Sequence, residues 1–206
     1  MLVGLDLDNT IIDYDTAFAQ AARLAGWVRA DFAGSKRDLR TLLWAQPDGD
    51  RIWRGLQARV YGPEISGAAL AKGYHDFATR AADAGAELVI ISHKTAFAAA
   101  APDGPDLRQC ALEWMSDHGV TGSSPGQVRA DRVIFADSRD AKISAIRSAR
   151  CEVFVDDLTE VLLHPEFPAR TTRLHFYPGA SDGPPADPAL VTCRSWRDVT
   201  QFTFGA

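Results

Sequence analysis

The chain has 206 residues, enough for one sizeable domain or for a core with a small inserted unit. Its 46% hydrophobic and 24% charged residues are those of an ordinary globular protein, which sets aside disordered and fibrous classes. A net charge of -5 with no Lys/Arg run leaves no footprint for nucleic acid, and no uninterrupted apolar run reaches the roughly 18 residues of a membrane span.

An anionic small substrate stays open, because a bound cation reverses the local sign of an acidic site. Cys110, Cys151 and Cys193 are odd in number, far apart and without zinc-type spacing. They read as buried apolar fillers in a reducing compartment. Asp6 and Asp8 near the start, with no basic lead, do not make a secretory signal. A cytoplasmic location is expected.

Leu2, Val3, Leu5 and Leu7 form a short apolar run broken only by Gly4, the pattern of a buried parallel strand. It delivers Asp6 and Asp8 at its end. Residues two apart in an extended chain point the same way, so both carboxylates are expected to face one site. Two carboxylates that close repel each other, which calls for a cation or a reacting centre between them. The competing reading makes Asp8 and Asn9 a strand exit with helix-capping potential.

A helix is predicted over 16–24, stopped by Gly26. Leu39, Leu42 and Leu43 fit helical spacing, as do Ile52, Leu56 and Val60, with a loop at Pro47, Asp48 and Gly49 between them. Residues 15–66 hold Trp27, Trp44, Trp53 and Tyr61 and no strand-like run, so they read as a small all-helical insertion. Trp44 and Trp53 are expected in its core. Leu70, Tyr74, Phe77 and Ala81 mark one face of the next helix, capped by Gly85.

A buried strand over 87–91 then ends in Ser92, His93, Lys94 and Thr95. A loop over 98–106, a helix over 107–118 and a loop over 121–127 follow. The strand over 133–135 leads to Asp137 and Ser138, then to a helix with Lys142 in its first turn and Ile143 and Ile146 on its inner face. A fourth strand over 151–155 ends in Asp156 and Asp157, with a helical turn over 158–163 behind it. A fifth strand is predicted over 173–177, a Pro/Gly/Asp-rich loop over 178–188, and a short strand near Val191. A last helix is expected after Ser195, a good N-cap residue. Such strand–helix alternation predicts an α/β fold, a parallel sheet with helices on both faces.

In a parallel sheet the strand ends share one edge, where ligands bind. That edge would collect Asp6, Asp8, Ser92, Lys142, Asp156 and Asp157. Carboxylates without His or Cys suit a hard cation such as magnesium, and a hydroxyl and an ammonium beside them suit a phosphoryl group. Ser92 has a second reading as a helix cap, and Asp137 and Ser138 either cap the following helix or approach the metal. Arg139 and Arg147 compete with Lys142 for the cationic role, and Asp156 and Asp157 compete for the metal.

This set resembles the haloacid dehalogenase-like superfamily of phosphohydrolases. Asp6, Asp8 and Thr10 match its D-x-D-x-T first motif. Residues 88–92 match the apolar strand ending in Ser or Thr, Lys142 the helix-start lysine, and residues 153–157 the apolar strand ending in acids. The resemblance implies a Rossmann-like core, 1–14 and 67–206, with a cap inserted at 15–66. It implies that Asp6 is the nucleophile and Asp8 the general acid and base. It also implies that Mg2+ is held by the Asp6 carboxylate, the Asp8 backbone carbonyl and the Asp156 carboxylate, with Asp157 beside them. Ser92, the backbone N–H of His93, and Lys142 would bind phosphate.

The cap is short for that family and leaves the substrate unnamed. Arg37, Arg40, Arg51 and Arg54 are candidate anion contacts, or simply solvated. The expected activity is a magnesium-dependent phosphatase acting on a small phosphomonoester. A dehalogenase has no use for an acid at Asp8. A phosphonate-cleaving enzyme would need a cap lysine, for which Lys36 is the only candidate in the insertion. A receiver-like phospho-binding module would carry its acceptor on an internal strand, not the first.

Overall fold

The computed structural model describes residues 1–178 and 187–205. In chain order the elements are strands β1 (Leu2–Leu5) and β2 (Ile12–Asp13), then helices α1 (Asp15–Leu24), α2 (Lys36–Trp44) and α3 (Gly49–Val60). Strand β3 (Ala69–Leu70), helix α4 (Tyr74–Asp83), strand β4 (Glu87–His93) and helix α5 (Leu107–Asp117) come next. They are followed by strand β5 (Val133–Ala136), helix α6 (Arg139–Ala149), strand β6 (Val153–Asp156) and helix α7 (Thr159–Leu162). Strands β7 (Thr172–Phe176) and β8 (Val191–Cys193) and helix α8 (Trp196–Phe204) complete the described chain. The loop expected at 178–188 falls mostly outside the described residues.

The chain divides into two compact units. The first holds Met1–Ile11, Leu70–Lys94 and the described residues from His118 onward. Its six strands form a sheet in the order β5-β4-β1-β6-β7-β8, and every pair in it is parallel. This is the expected α/β architecture. From β1 the chain builds outward to β4 and β5, then returns to build β6, β7 and β8 on the other side. The topological switch point, where open α/β sheets take their ligands, therefore lies at the ends of β1 and β6.

Both faces of the sheet are covered. On one, Phe154, Val89 and Ile91 pack with Ile143 and Ile146 of α6, Val161 and Leu162 of α7, and Phe167. On the other, Phe77 of α4 lies 4.8 Å from Trp196 of α8, which lies 5.3 Å from Phe176 of β7. Gly4 is required by packing. A Cβ there would stand 2.4 Å from the Phe154 ring and 2.8 Å from the Cys151 sulfur.

The expected helical start near Leu70 is corrected: Leu70 belongs to β3, and α4 begins at Tyr74. Gly73, at φ 89°, holds a left-handed conformation that ends any backward extension of the helix. β2 and β3 pair as a separate two-stranded sheet.

The second unit holds Ile12–Ala69 and Thr95–Asp117. Phe18 of α1 stacks on Trp53 of α3 at 5.1 Å, and Tyr61 meets Phe18 and Tyr14 edge-on. Ser35 and Asp38 close α2 with a reciprocal capping box. Helix α5 is part of this unit, and its Trp114 indole donates to the Ala68 carbonyl at 3.2 Å. Trp53 is buried as expected, but Trp44 is not in the core: it is 49% exposed, with the Arg40 guanidinium 3.9 Å above its ring. Leu39 and Leu43 already fill the inner face of α2, which turns Trp44 outward. Among the described residues no helix is long and apolar enough to cross a membrane.

Candidate active site

The site is built at the carboxyl ends of the central strands. The ladder of β1 continues past its last residue, with Asp6 N–H donating to the Val155 carbonyl at 2.9 Å. Leu5 pairs with Val155, so one step further the register sets Asp6 beside Asp156. Both share the strand parity of Gly4 and Phe154, the face covered by α6.

Helix α6 starts where β5 ends, and the Ser138 hydroxyl caps it by accepting from Ala141 N–H at 3.1 Å. Lys142 then falls in its first turn and reaches down to the sheet. Its Nζ is 2.5 Å from Asp6 Oδ1 and 2.6 Å from Asp156 Oδ2. All three side chains are buried. Arg139 and Arg147 are exposed, and Arg147 is paired with Glu166, so Lys142 is the cation brought to the acids.

Burial pushes the Asp6 carboxyl above the usual carboxylate range; the Lys142 ammonium opposes this rise and the neighbouring Asp156 adds to it. Burial alone would lower the Lys142 ammonium, but Asp156 and Asp6 together hold it above its ordinary value. The cluster is therefore charge-compensated, and each member depends on the others. The Thr10 hydroxyl donates to Asp6 Oδ2 at 3.4 Å, and the Trp196 indole donates to the Thr10 carbonyl at 3.2 Å, pinning the loop after β1 from the far face.

Asp157 completes an acidic group. One carboxylate oxygen from each of Asp6, Asp156 and Asp157 lies within 4.8 Å of the others. An all-oxygen set of this kind fits a hard divalent cation. Asp156 Oδ1 also accepts from Leu158 N–H at 2.9 Å, and Asp157 Oδ2 accepts from the Asn9 amide at 3.1 Å. Asn9 takes φ 63°, a left-handed turn that asparagine tolerates, and this turn aims its amide at Asp157. The His175 ring nitrogen Nε2 lies 3.2 Å from the Asp157 carbonyl.

Ser92 is buried near the end of β4, one strand over from β1. The helix-cap reading of Ser92 falls, because α5 starts only at Leu107. His93 is exposed and points the other way along the strand. Asp8 does not share the Lys142 cluster. Its two carboxylate oxygens accept from Lys94 Nζ at 2.9 and 2.8 Å. Lys94 was missed in the sequence, although it stands two residues beyond Ser92, at the spacing that puts both on one side of an extended chain. Asn9 was missed likewise; its signal is a turn-prone residue directly after two acids.

No family model matches the chain, and no curated protein is similar to it in sequence. Solved structures are similar in fold. The protein tyrosine kinase A of Mycobacterium tuberculosis superposes with a TM-score of 0.62 at 14% identity, over 100% of this chain and 98% of that one. A HAD-superfamily hydrolase of subfamily IA from Geobacter sulfurreducens gives 0.52 at 15% identity, over 98% and 95%. A HAD family hydrolase from Deinococcus radiodurans R1, solved with bound phosphate and sodium, gives 0.53 at 16% identity, over 98% and 93%.

Proposed function

We propose, from the premise that this chain has the haloacid dehalogenase-like fold, that it is a phosphatase. It hydrolyses a small phosphomonoester with magnesium, through a phosphorylated Asp6. The observation that carries the reading is the buried Asp6–Lys142–Asp156 cluster at the switch point. The cluster draws two strand ends, Asp6 and Asp156, to the edge where such sheets bind ligands. The phosphate bound in the Deinococcus hydrolase is consistent with this ligand class.

In this mechanism an Asp6 oxygen attacks phosphorus in line with the ester oxygen. The P–O bond to the alcohol breaks as a new P–O bond to Asp6 forms. Asp8 gives its proton to the departing alkoxide. It then takes a proton from water as that water attacks the phosphoryl group, which frees Asp6 and releases inorganic phosphate. Ser92 and the backbone N–H of His93 would donate to the phosphoryl oxygens, and Lys142 would offset their charge. The oxygen donors of Asp6, Asp156 and Asp157 would hold the cation, with the Asp8 backbone carbonyl. When bound, magnesium lowers the repulsion between the carboxylates and an approaching phosphate.

A phosphate-release assay over a panel of sugar, polyol and nucleotide monophosphates, with magnesium and then with EDTA, tests the reading. Repeated turnover that stops in EDTA is expected. A single stoichiometric phosphorylation without release would instead favour a receiver-like module.

A further inference from the structure

Lys94 lies just past the end of β4, and its backbone N–H still donates to the Ala136 carbonyl of β5 at 3.2 Å. The ladder thus holds its backbone one residue beyond the strand. Its side chain is 3% exposed, and its ammonium meets both oxygens of Asp8, whose side chain is 19% exposed. Burying an ammonium is costly unless a partner compensates it. Lys142 already serves Asp6 and Asp156, so the site spends a second buried lysine on Asp8.

Two hydrogen bonds from one nitrogen to both oxygens fix the plane of a carboxylate as well as its position. A group that must hand a proton to an ester oxygen gains from being held so, because proton transfer needs the donor oxygen within hydrogen-bond reach of its target. We propose that Lys94 is a positioning residue: its ammonium holds both oxygens of the ionised Asp8 carboxylate while that group receives a proton from the attacking water, and keeps one oxygen in place when the other carries the proton given to the departing alkoxide. This rests on the phosphatase reading above. A purely structural pair, tying the loop after β1 to β4, would predict different kinetics.

The test is a double-mutant cycle with wild type, Lys94→Met, Asp8→Asn and the double variant, assayed on glycerol phosphate. Lys94→Met is expected to lower kcat by about 10- to 100-fold, a share of what a general acid supplies. Its KM is expected to change by less than about threefold, because ground-state binding is not the lysine's task. In the Asp8→Asn background the same change should cost less than about threefold, since groups that act as a unit are not additive. Single-turnover release of p-nitrophenolate, a leaving group that needs no proton, should fall far less than release of glycerol. Lys94→Arg, which can also engage both oxygens, should recover most of the loss.

Should Lys94→Met fail to fold, Lys94→Gln carries the same cycle. Equal losses in both backgrounds, or a raised KM with kcat unchanged, would overturn the assignment. A wild-type chain that releases phosphate from no ester takes down the phosphatase reading and this one with it. An active wild type without coupling between Lys94 and Asp8 takes down this one alone.

Discussion

Lys142 Nζ lies 2.5 Å from Asp6 Oδ1 across 136 residues of sequence, and the same nitrogen holds Asp156. Removing it leaves two buried carboxylates facing each other without compensation. Breaking a buried charge set from one side costs about 3–5 kcal/mol. Lys142→Met is therefore expected to lower the unfolding free energy in EDTA by that order, read from urea titration. A loss below about 1 kcal/mol would mean the acids are compensated in some other way.

Asp6→Asn separates chemistry from folding. The amide is a poor nucleophile towards phosphorus, so turnover should fall at least about a thousandfold in a phosphate-release assay. Lys142 keeps Asp156, so the variant should remain folded by circular dichroism. Near-normal turnover would remove Asp6 from the nucleophilic role.

Gly4 is set by the ring beneath it. A methyl group there meets Phe154 at 2.4 Å and the Cys151 sulfur at 2.8 Å, inside contact distance. Overpacking of this kind costs about 1–3 kcal/mol, so Gly4→Ala should lower Tm by several degrees in calorimetry. Phe154→Leu in the same chain should return part of the loss. An unchanged Tm for Gly4→Ala would show that the ring moves aside freely.

The thiols should divide by burial. Burial pushes the Cys151 thiol up to about 11; burial, with a contribution from Asp198, pushes the Cys193 thiol up to about 12. The thiolate is the reactive form, so neither should react with an aromatic disulfide reagent at pH 8. Half-buried Cys110 is expected to react in the native protein, and all three thiols after denaturation. Rapid native modification of Cys151 would mean that the sheet opens locally near β6.

Trp44 and Trp53 of the second unit should part company. Trp53 is buried against Phe18, so Trp53→Ala should cost about 3–5 kcal/mol. Trp44 is half exposed and rests on Arg40, so Trp44→Ala should cost less than about 1 kcal/mol. Urea titrations of both variants decide the comparison.

Much of the core was legible because its strands are short apolar runs that end abruptly in polar residues. The run before Asp6 and the run before Asp156 each announce a buried strand and its carboxyl end together. Lys142 was readable for a similar reason, since a strand, a capping serine and a helix in sequence set its height above the sheet. The pairing of Asp8 with Lys94 was not readable. It depends on the register between β1 and β4, Leu5 against Ile90, and no local pattern encodes that. Leu70 was misread because its spacing to Tyr74 is helical, whereas the left-handed Gly73 between them decides where α4 begins. Trp44 was misread because size alone does not say which side of α2 is already filled.

β1, at the middle of the sheet, is also the first of its six strands to be synthesised. Its hydrogen-bonding neighbours, β4 and β6, arrive only with residues 87–93 and 153–156. Until then an apolar ribbon with two unmet edges waits on the nascent chain, open to adhesion by other polypeptides. Assembly of this sheet should therefore be most vulnerable before residues 153–156 emerge, while the carboxylates at the ends of β1 and β6 cannot yet meet.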